Sequence, residues 1–398
     1  MDAESTRRLA SVLALLSVVA PTAGAQTARV GGELRPRYEY RSPGGGSANG
    51  FTSMRARAEV AASLERQVSV FIQVQDVRLW GEETNTLNDL RADNLDLHQG
   101  YLEVRSGEQG RWRARVGRQE MAFGEERLVG SVNWAQQGRS FDGVRAGLAG
   151  SFGSVDAFGF VLAETAAPGV PHESEFFGAY AQLERVAGGT LDLYSLHTHV
   201  SGVATNQATL GARYTAVRGP WRYRLEGTSQ LGDRDSATVR AFMAGARLGR
   251  QLAANRVEVT LWYDYLSGDG TPGDGRIEVF ETLFATNHPF YGLADLFLDI
   301  PRHTGNLGLH DAAVKLAFTP TSNLRVTLDG HAFSVVRKGT LASRRLGEEV
   351  DLTARYRYSA NLTVDLGTSW VADGPALRGL GRLTEDLGFL YLMLTARL

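Results

Sequence analysis

The residues with chemistry to offer are arginines, and they recur at a fixed spacing. They alternate with apolar residues in Leu34-Arg35-Pro36-Arg37-Tyr38-Glu39-Tyr40, Met54-Arg55-Ala56-Arg57-Ala58-Glu59-Val60, Arg111-Trp112-Arg113-Ala114-Arg115-Val116 and Trp221-Arg222-Tyr223-Arg224-Leu225-Glu226. Only Lys315 and Lys338 represent lysine. A guanidinium presents a planar fork of donors that meets a carboxylate with two parallel hydrogen bonds. Arginines in series therefore point to anion binding rather than to bond breaking.

The spacing also names the element that must position them. In a β-strand successive side chains point to opposite faces, so each segment has one charged and one apolar face. A membrane barrel turns the apolar face to lipid and the polar face to a wet lumen. Reading on, about eighteen strands of roughly ten residues emerge, a length suited to a tilted span. They begin near Val30, Phe51, Val68, Leu95, Arg111, Phe141, Ser154, Glu175, Thr190, Gln207, Trp221, Thr238, Asn255, Leu309, Asn323, Gly347, Asn361 and Leu387. Tight turns such as Ala187-Gly188-Gly189 and Arg218-Gly219-Pro220 alternate with longer polar connections such as Ser42 to Gly50, Gly124 to Ser140 and Ser267 to Gly308. The expected fold is all-β: a transmembrane antiparallel β-barrel with short periplasmic turns and long extracellular loops. The last strand, with Leu390, Leu392, Leu394, Ala396 and Leu398 on one face, would close the barrel against the first.

Composition agrees with export. The chain has 398 residues, a formal net charge of -2 and no cysteine, which excludes disulfides and a lipidated cysteine anchor. Arg7 and Arg8 precede an apolar stretch from Leu9 to Ala20, and Ala23-Gly24-Ala25 is a small-x-small cleavage site. Residues 1–25 thus read as a cleaved signal peptide and 26–398 as the barrel, in the bacterial outer membrane.

With apolar faces toward lipid, strand parity sends Arg35, Arg37, Arg55, Arg57, Arg113, Arg115, Arg145, Arg213, Arg222, Arg224, Arg247, Arg355 and Arg357 to the lumen. Arg41, Arg111, Arg256, Lys315, Arg325 and Arg397 follow by the same parity. The acids assigned to the lumen are fewer: Glu39, Glu59, Glu226, Glu258, Asp264, Asp329, Asp351 and Asp365. Such an interior would concentrate anions and select for them. The alternative is that lumenal arginines and acids simply satisfy one another.

Two further stretches carry a resemblance. Gly117-Arg118-Gln119-Glu120-Met121-Ala122-Phe123-Gly124-Glu125-Glu126-Arg127-Leu128 continues through Trp134 to Gly138-Arg139-Ser140-Phe141-Asp142-Gly143-Val144-Arg145. Thr286-Asn287-His288-Pro289-Phe290-Tyr291-Gly292-Leu293-Ala294-Asp295 lies in the longest loop. The first resembles the signature region of the alginate export family of outer-membrane proteins, and the second resembles that family's long-loop motif. The resemblance implies an eighteen-stranded, arginine-lined, anion-selective channel that passes an acidic polysaccharide.

From the residues themselves, Gly117 and Gly124 permit a bulge or sharp turn, and Arg118 and Arg139 could pair with Glu120, Glu125, Glu126 or Asp142 to pin the loop, adding both arginines to the anion path. The 267–308 loop is apolar for an exposed segment, through Leu283, Phe284, Phe290, Tyr291, Leu293, Leu296, Phe297 and Leu298. It is expected to fold over or into the extracellular mouth. Trp134, Trp262 and Trp370, with Tyr263 and Tyr265, read as barrel aromatics near a membrane interface.

No cofactor or metal is expected: His197 and His199 share a strand face without a metal motif, and the Gly-Asp-Gly pairs near 268–275 lack calcium-loop spacing. The partners would be outer-membrane lipid and an anionic polysaccharide or small organic anions, with periplasmic export components as an option and no nucleic acid. A solute-specific or general anion porin is the alternative. A barrel enzyme is the third class, and would have to draw on rim residues such as Asp264, His288 and His303.

Overall fold

The computed structural model describes residues 27–65, 67–81, 95–106, 110–167, 169–203, 205–254 and 256–398. The expected signal peptide, residues 1–25, lies outside the described residues, as does most of the 80–94 connection.

The chain forms β1 (Thr27–Arg41), β2 (Asn49–Glu65), β3 (Val68–Leu79), β4 (Leu95–Arg105), β5 (Trp112–Gln119), β6 (Phe141–Gly150), β7 (Gly153–Ala163), β8 (Ser174–Val186), β9 (Gly189–Val200) and β10 (Thr205–Arg218). It continues through β11 (Trp221–Arg234), β12 (Ala237–Leu252), β13 (Val257–Leu266), the two-residue β14 (Arg276–Ile277), β15 (Leu309–Thr321), β16 (Leu324–Ser334), β17 (Arg345–Arg357), β18 (Leu362–Asp373) and β19 (Leu387–Arg397). Two short helices, α1 (Ile300–His303) and α2 (Pro375–Gly379), sit in loops.

Each long strand pairs antiparallel with its sequence neighbour, β13 pairs with β15 across the long loop, and β1 pairs with β19 from Glu33↔Arg397 to Arg41↔Phe389. This is a closed eighteen-strand barrel, with β14 added parallel to β12 at the rim. Closure leaves no unpaired amide edge in lipid.

The alternation sorts side chains as expected. Leu34, Tyr38, Val116, Leu225, Leu261, Val350, Leu392 and Leu394 are exposed on the outside. Arg35, Arg37, Arg55, Asp156, Asp192 and Asp264 are buried on the inside. The extracellular half of the lumen is filled. Met121, Phe123, Leu128 and Val129 from the 120–140 loop join Phe280, Phe290, Tyr291, Phe297 and Ile300 from the 267–308 loop. They pack on inward-facing Phe158, Phe160, Phe176, Leu196, Met243, Phe333 and Phe389. Each such side chain contributes roughly 1.5–3 kcal/mol on leaving water. The long loop therefore folds into the mouth rather than capping its rim.

Two expectations need correction. Trp134 and Trp262 are not interfacial. Trp134 belongs to the in-folded loop and stacks on His288 at 3.9 Å, and Trp262 lies under Arg247 in the lumen. Arg118 does not face the lumen: it pairs with Asp142 at 2.6 Å on the outward parity shared with Val116 and Val144.

Candidate functional site

Inside the barrel, the in-folded 120–140 loop divides the arginines into two groups. Along β1 and β2 they hold the loop backbone. Arg35 donates to Asn133 O at 2.6 Å and to Gln136 Oε1 at 2.9 Å, and Arg37 donates to Trp134 O at 2.5 Å. Arg37 also pairs with Glu39 at 2.7 Å, and Arg55 pairs with Glu33 while donating to Gln136 O at 3.2 Å. Arg57 reaches Glu120 at 3.3 Å, whose carboxylate also meets His98 at 2.6 Å. A loop brought into a lumen carries backbone carbonyls that need donors, and arginine supplies several per side chain.

On the β10–β13 arc the arginines surround a loop carboxylate. Glu125 lies 2.5 Å from Arg247, 3.2 Å from Arg224 and 3.4 Å from Arg213. Burial pushes its carboxyl upward, but Arg247, Arg224 and Arg213 together hold it below its ordinary value. Two residues on, Arg127 is 2% exposed. It pairs with Asp264 at 2.5 Å and Glu226 at 3.3 Å, and donates to Tyr291 Oη at 2.7 Å. Arg247 stacks on Trp262, its guanidinium carbon 3.0 Å from the ring centroid. Arg213 also pairs with Asp192, and Arg224 with Glu226 at 2.5 Å.

The remaining expected arginines are placed as follows. Arg113 and Arg145 share Asp156 at 3.3 and 2.9 Å, and Arg115 pairs with Glu103. Arg222 lies 3.4 Å from Glu258, and Arg355 pairs with Asp365. Arg357 is exposed near the periplasmic turn, donating to Ser322 O at 3.5 Å. Arg139, in the loop, donates to Ala285 O at 3.4 Å and lies over Phe284.

The lumen holds more acids than the sequence reading assigned to it. Glu33, Glu103, Asp156, Asp192, Asp311 and Glu349 face inward from strands, and Glu120, Glu125 and Asp295 are carried in by loops. Parity applied to β1, β4, β7, β9, β15 and β17 would have found the first kind. No periodicity marks the second kind, nor Arg127.

The two loops are joined where Trp134 Nε1 donates to Asp295 Oδ2 at 3.1 Å, and Asp295 Oδ1 lies 2.7 Å from His288 Nδ1. The long loop is fastened to the wall as well. The Leu293 and Ala294 amides donate to Asp351 at 3.1 Å and Glu349 at 2.7 Å, and Arg41 donates to Ala294 O at 2.7 Å. Gly292 makes this possible: its φ is +86°, and a Cβ there would lie 2.3 Å from Glu349 Oε2.

Beneath the loops, two cavities remain on separate arcs of the wall. One, about 420 Å³, is lined by Arg35, Arg355 and Arg397 with a single carboxylate, Asp365, beside Trp134, His288 and Tyr391. The other, about 440 Å³, is lined by Arg222, Arg224 and Arg247 against Glu125 and Glu258, with Trp262. Guanidinium exceeds carboxylate in both. A larger hollow of about 960 Å³ is lined chiefly by outward residues such as Leu225, Leu261, Tyr263 and Val314, and belongs to the lipid-facing surface.

Comparison with known proteins agrees with this architecture. The family model described as alginate export matches residues 26–386. No curated protein matches the sequence. Among solved structures, Pseudomonas aeruginosa OccK5 (OpdH) superposes with a TM-score of 0.65 at 10% identity, over 95% of this chain and 99% of that one. OccK3 (OpdO) of the same organism gives 0.64 at 14%, covering 94% and 96%. Its outer membrane protein OprD gives 0.63 at 12%, covering 93% of each chain. At these identities the likeness is one of fold.

Proposed function

The chain belongs to the alginate export family, and from that premise we propose that this outer-membrane channel passes acidic saccharides, polyuronates of the alginate type, along its lumenal arginines. The observation that carries the proposal is the cationic excess where the lumen is open. Arg35, Arg355 and Arg397 of the lining, with Arg55 behind them, face Asp365 and Glu33, four positive charges against two negative, a formal charge of about +2. Trp134, held between His288 and Arg37, and Tyr391 give this cavity an aromatic border, and the exposed guanidinium groups of Arg355 and Arg397 can meet a carboxylate of the solute. Arg355 and Arg397 each share one carboxylate, Arg35 holds loop carbonyls, and most other arginines are paired and build the wall. Passage is passive, steered by charge, and calls for no covalent chemistry. A cleaved signal peptide over residues 1–25 and periplasmic export components belong to this proposal. A second reading, small organic anions as solutes, is favoured by the size of the cavities, since 420 and 440 Å³ lie at the low end of small-ligand sites.

The test is the reversal potential of the purified protein in a planar bilayer under a salt gradient, with and without Arg35→Gln plus Arg355→Gln. The wild type is expected to prefer anions, and the double variant to lose most of that preference because the first cavity falls to near neutrality. A cation preference in the wild type would refute the proposal. Block of the chloride current by oligouronates, set against block by glucuronate, separates polymer from small-anion passage.

A further inference from the structure

Glu125 sits where a solute carboxylate would be expected to bind. Three guanidinium groups from three strands converge on it: Arg213 of β10, Arg224 of β11 and Arg247 of β12. A carboxylate offers about four lone-pair directions, so one carboxylate can engage all three. Its side chain nevertheless remains 42% exposed, toward the cavity of about 440 Å³.

Charge counting shows what Glu125 does there. Four arginines, Arg127, Arg213, Arg224 and Arg247, face three wall carboxylates, Asp192, Glu226 and Asp264. Without Glu125 the cluster carries one uncompensated positive charge. One external carboxylate would restore neutrality. Glu125 also satisfies the cluster only in part, since Arg224 Nε and Arg247 Nε and Nη2 are buried without an acceptor.

The residues on either side are fastened to other partners, whereas the Glu125 side chain is held by the three arginines alone. Glu126 Oε2 accepts from Ser131 N at 3.1 Å and Thr286 Oγ1 at 2.5 Å. Arg127 is locked by Asp264. On the other side Gly124 has φ +58°, and a Cβ there would lie 2.9 Å from Tyr180 Oη and 3.2 Å from Arg213 Cζ. Rotation of the Glu125 side chain into the cavity is thus the least costly way to empty the cluster.

We propose that Glu125 is a built-in carboxylate that occupies a three-arginine binding site and yields it to the carboxylate of an entering solute. The site binds carboxylates in general; that the natural solute is a uronate rests on the functional reading above. Self-occupancy lowers apparent affinity by the fraction of time the site stands free. It also leaves the path without a permanent deep trap, because Glu125 returns as the solute departs.

The experiment titrates chloride current through the full-length protein in planar bilayers with acetate, glucuronate and neutral glucuronamide. Wild type, Glu125→Gln and Glu125→Gln plus Arg247→Gln are compared, each first shown to be a folded barrel by its heat-modifiable electrophoretic mobility. A site occupied by Glu125 about nine-tenths of the time predicts that Glu125→Gln blocks at about tenfold lower acetate and glucuronate, with glucuronamide unchanged. The added Arg247→Gln should cancel the gain. Glu125→Asp keeps the charge on a shorter arm, is expected to fall between, and serves as the test should Glu125→Gln fail to fold. Tighter block by acetate but not glucuronate would support the inference and count against a uronate solute. Unchanged or weaker block by both carboxylates in the variant would overturn it.

Discussion

Replacing Arg127 with methionine should open the channel without unfolding the barrel. Methionine keeps much of the side-chain volume, so the packing loss is small. The electrostatic loss is not. Arg127 is 2% exposed and compensates Asp264 at 2.5 Å and Glu226 at 3.3 Å, and it also donates to Tyr291 on the other in-folded loop. Removing one partner of a buried ion pair costs about 3–5 kcal/mol, because the remaining charge stays buried without compensation. At about 1.4 kcal/mol per tenfold, this shifts the ratio of docked to undocked loop by roughly a hundred- to a few-thousand-fold. The strands are joined by continuous backbone ladders that Arg127 does not touch, so the barrel should survive. Single-channel recording should show higher conductance and more open-channel noise, with unchanged heat-modifiable mobility. Adding Asp264→Asn removes the stranded charge and should recover part of the wild-type conductance. Wild-type conductance in a folded Arg127→Met barrel would refute the view that this buried cluster holds the loop in the lumen.

Two further outcomes test the loop fastening and the lipid face. Gly292→Ala places a Cβ 2.3 Å from Glu349 Oε2 at a φ of +86°, a strain of about 1–3 kcal/mol. Protease cleavage of the 267–308 loop in outer-membrane vesicles should then speed up, and an unchanged rate would show that the amide contacts of Leu293 and Ala294 do not hold it. Leu392→Arg puts a charge on the outward face of β19 and should lower barrel stability in reversible urea unfolding into vesicles by about 2–4 kcal/mol. A neutral result would mean that this face does not meet hydrocarbon.

What could be read from the chain alone was whatever depends on local spacing. Period-two alternation is a property of neighbouring residues, so Arg35, Arg37, Arg55, Arg224 and Arg247 could be sent to the lumen, and Leu392 and Leu394 to lipid, without knowing any partner. The alternation of short and long connections likewise oriented the barrel before any strand pairing was known. The contacts of the candidate site are not local. Arg127 and Glu125 lie in a segment with no periodicity, and their partners come from β10, β11, β12 and β13, separated from them by up to well over a hundred positions. Trp134 reads as an interfacial aromatic until the loop is seen to fold inward and stack it on His288. Loop charges such as Glu125 and Asp295 carry no parity that could assign them to the lumen they enter. Only closure of the sheet, which brings distant strands around one interior, settles which arginines are paired into the wall and which still face open space.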